Sequence, residues 1–188
     1  MTTPICLAHP WLHLDGILSH LIFREKMGLN YYTLPSKQPL SRRDLMNMGV
    51  QPRQFMPLAR LGPIYHASVS FLEPKQLYTV TIYKRFHERH AETLRRKYIQ
   101  RSRGRFRDWA IKLPIIPAEK VVFYAYGDLH ETLRLLNHLP GLGKKVNIGF
   151  GAFKSIEIEE LKEDHSVVWR GKAMRPIPCL LYTSDAAD

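Results

Sequence analysis

Residues Gly141-Leu142-Gly143-Lys144-Lys145-Val146-Asn147-Ile148-Gly149-Phe150-Gly151 place four glycines and two lysines in eleven positions. Glycine lets a backbone approach a ligand closely and turn its N–H groups toward an anion, while lysine neutralises phosphate charge. Such a segment suits a loop that grips phosphates. It is not a Walker A loop, because Lys145 stands where Ser or Thr would hold Mg²⁺ and no glycine lies five residues before Gly143. The order of elements is also reversed, running from helix to strand, which argues against an ATPase. The alternative is a tight turn whose glycines serve backbone geometry alone.

A second candidate is residues 84–107, where ten Lys or Arg face only Glu88 and Glu92. Arg95, Arg96, Lys97, Arg101, Arg103, Arg105 and Arg107 alternate with Tyr98 and Phe106, a mixture that neutralises a nucleic-acid backbone and stacks on occasional bases. The alternative is a solvated helix face running into a basic loop. The chain has nine histidines, and His9, His13 and His20 near its start invite a catalytic reading: an imidazole acting as general base on a ribose 2′-hydroxyl. Ordinary surface or half-buried histidines compete with that role. His87 and His90 lie three apart, but neither further ligands nor an HExxH pattern accompanies them, so no metal and no cofactor is expected.

Something must position these groups. The 188 residues allow one domain or two small ones; 45% hydrophobic and 24% charged content predicts a folded core. A net charge of +11 points to a polyanionic partner. No apolar run reaches the ~18 residues of a membrane-spanning helix, no secretory signal pattern is evident, and two cysteines are too few for a disulfide scaffold. A cytosolic protein is the expectation. Residues 179–188 resemble a translated sequencing adapter and are treated as a non-native tail; removing Asp185 and Asp188 only strengthens the basic balance.

The pattern predicts a strand near 4–9, then a helix capped by Asp15 and stopped by Gly28. Residues 29–62, with four prolines, read as an irregular insertion with one helical turn near 42–48. Residues 64–71 and 77–83 read as a strand pair, 86–101 as a charged helix, and 109–116 with 120–126 as another strand pair. Asp128 and Glu131 open a further helix whose Leu129, Leu133 and Leu136 share a face, and 152–161 alternates as a last strand. The order predicts an α+β fold, a ferredoxin-like (RNA-recognition-motif-like) sandwich in one elaborated or two partial copies, with the glycine-rich loop before the last strand. Residues 1–178 form a single RNA-binding domain on this reading.

Seven stretches stand out together: Leu14-Asp15-Gly16-Ile17-Leu18 near the start, then Lys112-Leu113-Pro114, Val121-Val122-Phe123-Tyr124 with Gly127-Asp128, Gly143-Lys144-Lys145, Gly149-Phe150-Gly151, Asp164-His165-Ser166-Val167-Val168 and Arg170-Gly171-Lys172-Ala173-Met174-Arg175-Pro176-Ile177-Pro178. In these the chain resembles the CRISPR-associated RAMP superfamily, and more narrowly the 5′-handle-binding subunit of type IV CRISPR effector complexes. The resemblance implies a non-catalytic subunit that holds the 5′ handle of a CRISPR RNA and caps a filament, with backbone and large effector subunits as partners. Gly143, Lys144, Lys145, Gly149 and Gly151 match the family's loop; Asn147 stands where relatives are often more basic. A metal-independent endoribonuclease of the same superfamily, working through His9, His13 or His20, is the rival expectation.

Overall fold

The computed structural model describes residues 1–7, 9, 11–33, 49, 51–86 and 100–177 of the 188. The helical turn expected near 42–48, most of the charged helix expected at 86–101, and the tail at 179–188 lie outside the described residues.

Strand β1 (Ile5–Cys6) is the centre of the main sheet. Both residues are apolar and fully buried, so both of its backbone edges must find partners inside the protein. On one side lies β6 (Trp109–Ile116), which pairs in turn with β5 (Tyr78–Lys84), all antiparallel. On the other side an antiparallel bridge joins Cys6 to Lys144. The spatial order is therefore Lys144, β1, β6, β5. Helix α1 (Leu14–Met27) follows β1 and helix α2 (Leu129–Leu136) precedes Lys144. This strand, helix, two strands, helix, strand succession, with first and third strands adjacent, is the topology of a ferredoxin-like α+β fold. Its fourth strand has shrunk to one bridge.

A ribbon extends beside that sheet. Strand β4 (Phe71–Glu73) pairs antiparallel with β7 (Lys120–Val122), and bridges continue it through Ala67 with Ala125 and Leu58 with Gly127. Two hairpins flank it, β2 (Arg60–Leu61) with β3 (Ile64–Tyr65) and β8 (Val168–Trp169) with β9 (Lys172–Ala173). Pairing thus departs from the sequence expectation. Segments 64–71 and 77–83 do not form a pair, and neither do 109–116 and 120–126; each outer strand reaches across to a distant partner. The expected strand at 152–161 is likewise not formed.

Leu14, Leu18, Leu21 and Ile22 give α1 its apolar stripe, which packs on Leu58, Ala67 and Leu135. A second cluster, Ile5, Leu7, Leu72, Ile116 and Ala118, sits around β1. Leu58 belongs to the stretch read as an insertion, whose end is therefore part of the core. Helix α2 starts as expected, Asp128 Oδ1 accepting the Glu131 N–H at 3.0 Å. Its buried residues are Thr132 and Leu135 rather than Leu129, which is 37% exposed, because α1 meets the short helix along that line.

Asp15 does not cap α1; His13 occupies the cap position and makes no side-chain cap bond. Asp15 Oδ2 instead accepts from the Arg175 guanidinium at 3.0 Å, and the same guanidinium donates to the carbonyls of Tyr65 at 2.9 Å and Ala67 at 3.0 Å. The Arg175 side chain is 8% exposed, so it ties α1 to the ribbon in a site that water scarcely reaches. Asp15→Ala leaves a buried cation without its counter-charge and is expected to cost about 3–5 kcal/mol, read by urea denaturation. A cost below about 1 kcal/mol would show that water replaces the carboxylate freely.

Candidate nucleic-acid interface

The 141–151 segment lies against the N-terminal strand. Lys144 N–H donates to the Cys6 carbonyl at 2.7 Å and Gly151 N–H to Pro4 at 2.8 Å, while Leu142 N–H closes the segment on the Gly151 carbonyl at 2.8 Å. Between them Val146–Ile148 forms one 3₁₀ turn, with Ile148 and Gly149 N–H bonded to Lys145 and Val146 carbonyls at 3.0 Å each. The N–H groups of Leu142, Lys144, Ile148, Gly149, Phe150 and Gly151 are therefore already engaged, which narrows the idea of an amide cradle. Those of Lys145, Val146 and Asn147 make no hydrogen bond among the described residues.

Two glycines are explained by packing. A Cβ on Gly143 (φ 86°) would meet the Cys6 carbonyl oxygen at 2.5 Å, and one on Gly151 (φ 71°) would collide with the Leu142 carbonyl. Gly149 (φ 98°) faces open space, with nothing within 4 Å of its would-be Cβ. Gly141 is buried; Phe150 is half-buried. Lys144 and Lys145 both point into solvent, and Lys145 takes the left-handed conformation (φ 63°), unusual for a residue with a side chain. The segment is thus a rigid turn, seated by its glycines on β1, that presents two adjacent cations.

Of the basic region, Arg95, Arg96 and Lys97 lie outside the described residues, as does the side chain of Arg105. Asp108 closes what remains: its Oδ1 accepts from Phe86 N–H and its Oδ2 from Arg101 Nε, both at 2.8 Å. The Phe86 amide foremost, and then Arg101, outweigh the opposing effect of desolvation and hold the Asp108 carboxyl below the usual range. Arg101 therefore fastens the base of the loop, supported by the edge-to-face contact of Phe86 with Phe106 at 5.3 Å. Arg103 and Arg107 are exposed.

Of the three N-terminal histidines, His20 stands apart from His13 along α1. The His13 backbone bridges to Val69, and burial pushes its imidazole below the ordinary value; Asp15 opposes that shift, while Arg175 and His9 add to it. His20 lies seven residues further along α1, roughly 10 Å by helical rise, with the Tyr31 hydroxyl 2.9 Å from Nδ1. Burial and then Arg24 lower its pKa as well. Sequence reasoning missed a different histidine. His66 Nδ1 lies 2.7 Å from Asp164 Oδ2 and 3.2 Å from Ser166 Oγ, and Asp164 Oδ1 accepts the Ser166 N–H at 2.7 Å. Burial works against ionisation of Asp164, but hydrogen bonds from Ser166 and then His66 prevail and hold its carboxyl low. Asp164-His165-Ser166 stood out in the sequence, yet nothing in its spacing foretold a partner 98 residues away.

A comparison with known families finds the model described as CRISPR type IV associated protein Csf3 matching residues 65–182. The matched stretch begins at the second residue of β3 and contains the β4–β7 and β5–β6 pairs, α2 and the glycine segment. No curated protein matches the chain.

Gly143→Ala and Gly151→Ala are each expected to destabilise the fold by about 1–3 kcal/mol or more, since strain adds to a backbone clash, whereas Gly149→Ala costs only about 1 kcal/mol. Equal losses in denaturant melts would contradict the packing account. Asp164, depressed in the folded state, contributes stability above its unfolded pKa of about 3.9, lost as pH falls through the lower folded value. Thermal unfolding against pH should therefore fall less steeply below about pH 4 in Asp164→Asn than in the wild type.

Proposed function

The chain belongs to the type IV CRISPR-associated Csf3 family, and from that premise we propose that it is a non-catalytic RNA-binding subunit which holds the 5′ handle of the CRISPR RNA and caps the filament of backbone subunits. The observation that carries the reading is the family match together with two adjacent exposed lysines on a turn locked to the central strand. A turn that cannot collapse keeps Lys144 and Lys145 apart from internal carboxylates, and among the described residues neither makes an ion pair. Cations held in this way neutralise phosphates at little ordering cost. The N–H groups of Lys145, Val146 and Asn147 lie beside them as further donors.

Arg103 and Arg107 extend the positive surface along the loop that Asp108 anchors, and Arg95, Arg96, Lys97 and Arg105 belong to the same basic region. CRISPR RNA, the backbone RAMP-type subunit and the large subunit are the partners of this reading. Among the described residues no helix is long and apolar enough to cross a membrane.

Binding to repeat RNA should weaken steeply with salt. Replacing Lys144 and Lys145 by alanine should flatten the slope of log K against log salt by roughly 0.7 to 1 unit for each phosphate that is no longer neutralised. An unchanged slope would reduce the segment to a structural turn. Repeat RNA incubated with the protein in EDTA should stay intact; products ending in a 2′,3′-cyclic phosphate would overturn the non-catalytic assignment.

A further inference from the structure

Residues 153–163 carry the pattern of a strand without being one. Phe153, Ile156, Ile158 and Leu161 fall among charged residues, and β-branched side chains two apart suit a pleated surface. Among the described residues, however, no backbone N–H or carbonyl from 153 to 163 makes a hydrogen bond within the chain. Ile158 is 43% exposed and Leu161 47%.

Both ends of this stretch are nonetheless fastened. Ala152 exchanges hydrogen bonds with Thr2 N–H and Thr3 Oγ1, each at 2.8 Å, and Asp164 is clamped by His66 and Ser166. A segment pinned at both ends with its backbone unpaired is a template for strand pairing, with part of its ordering cost already met.

Its charge narrows the partner. From residue 157 to residue 164, Glu157, Glu159, Glu160, Glu163 and Asp164 face a single Lys162, in a chain whose net charge is +11; Lys154 precedes them. That patch repels a phosphate backbone, so the occupant is protein. Exposed strand edges of soluble proteins are guarded mostly by charged residues, lysine above all, which an acidic incoming strand neutralises. Resting on the reading of the chain as a subunit of a type IV complex, we propose that residues 153–161 add as a strand to a lysine- or arginine-bearing sheet edge of a neighbouring protein subunit. Ile156 and Ile158 then lie on one face of the joined sheet, and Glu157 and Glu159 meet the partner's cations on the other.

Hydrogen exchange on the isolated chain and on the complex co-purified with its type IV effector subunits tests this. Amides 154–162 should exchange freely in the isolated chain and slow on the order of a hundredfold or more in the complex. Ile158→Pro fixes the backbone and places a proline ring in the middle of the added strand, at a site bonded to nothing within the chain. It should leave thermal unfolding and repeat-RNA binding of the isolated chain unchanged while excluding it from the complex. The Glu157→Lys/Glu159→Lys pair provides a second variant with the same expected loss. Free exchange in the complex, or normal assembly of both variants, would overturn the proposal. So would protection produced by repeat RNA alone, or by self-association of the isolated chain that Ile158→Pro abolishes, which would make the occupant RNA or a second copy. Because repeat-RNA binding is measured on the isolated chain, its failure counts against the handle-holding role and not against this surface.

Discussion

Two buried residues, Ile5 and Cys6, set the terms for the rest of the molecule. A strand so short and so completely covered must have its polar backbone groups met from both sides. Strand β6 meets one edge, and the Lys144 and Gly151 amides meet Cys6 and the neighbouring Pro4 on the other. The approach of the turn to the strand is possible only where no side chain intervenes, since a Cβ on Gly143 would meet the Cys6 carbonyl oxygen at 2.5 Å; the missing side chain of Gly151 instead lets the turn close on its own Leu142 carbonyl. The glycines bring the turn down onto the strand, and the lysines beside them are left facing water.

The same economy organises the charge. Positive groups that have a structural task are buried or clamped: Arg175 joins α1 to the ribbon, and Arg101 closes its loop on Asp108. Those without one, Lys144, Lys145, Arg103 and Arg107, are exposed. Acidic residues concentrate instead between 157 and 164, where the chain makes no backbone hydrogen bonds of its own through residue 163. The exposed cations and the acidic run thus occupy different segments of the chain, and it is on this division that the proposed RNA contact and the proposed protein contact rest.

The element types were largely readable before any coordinates, and their partners were not. Helix α1, its Gly28 stop, the Asp128 cap and the strands at 109–116 and 78–84 follow from periodicity and turn chemistry that act within a few residues. Neighbouring strands were expected to pair, yet β4 chose β7 and β5 chose β6, because nesting the two pairs keeps Leu72 and Ile116 in one core around β1. Alternation at 152–161 suggested a strand that the structure does not form: pairing depends on an available edge, and β1 already has its second edge filled by Lys144. In the candidate site the exposed lysines were legible from composition. The engagement of six amides by internal carbonyls was not, because hydrogen-bond competition is a property of the folded surroundings.

Composition, charge and local spacing by themselves determined that this is a basic α+β protein with a glycine- and lysine-rich turn after the helix that Asp128 caps. Those features act through neighbours in the chain and need no knowledge of the fold. Tertiary structure alone decided that the turn replaces a strand beside β1, that Asp15 serves Arg175 instead of the helix end, and that His66 meets Asp164. Each of these joins residues about a hundred or more apart in sequence, brought together by burial of a shared apolar core, and no short-range pattern encodes that choice.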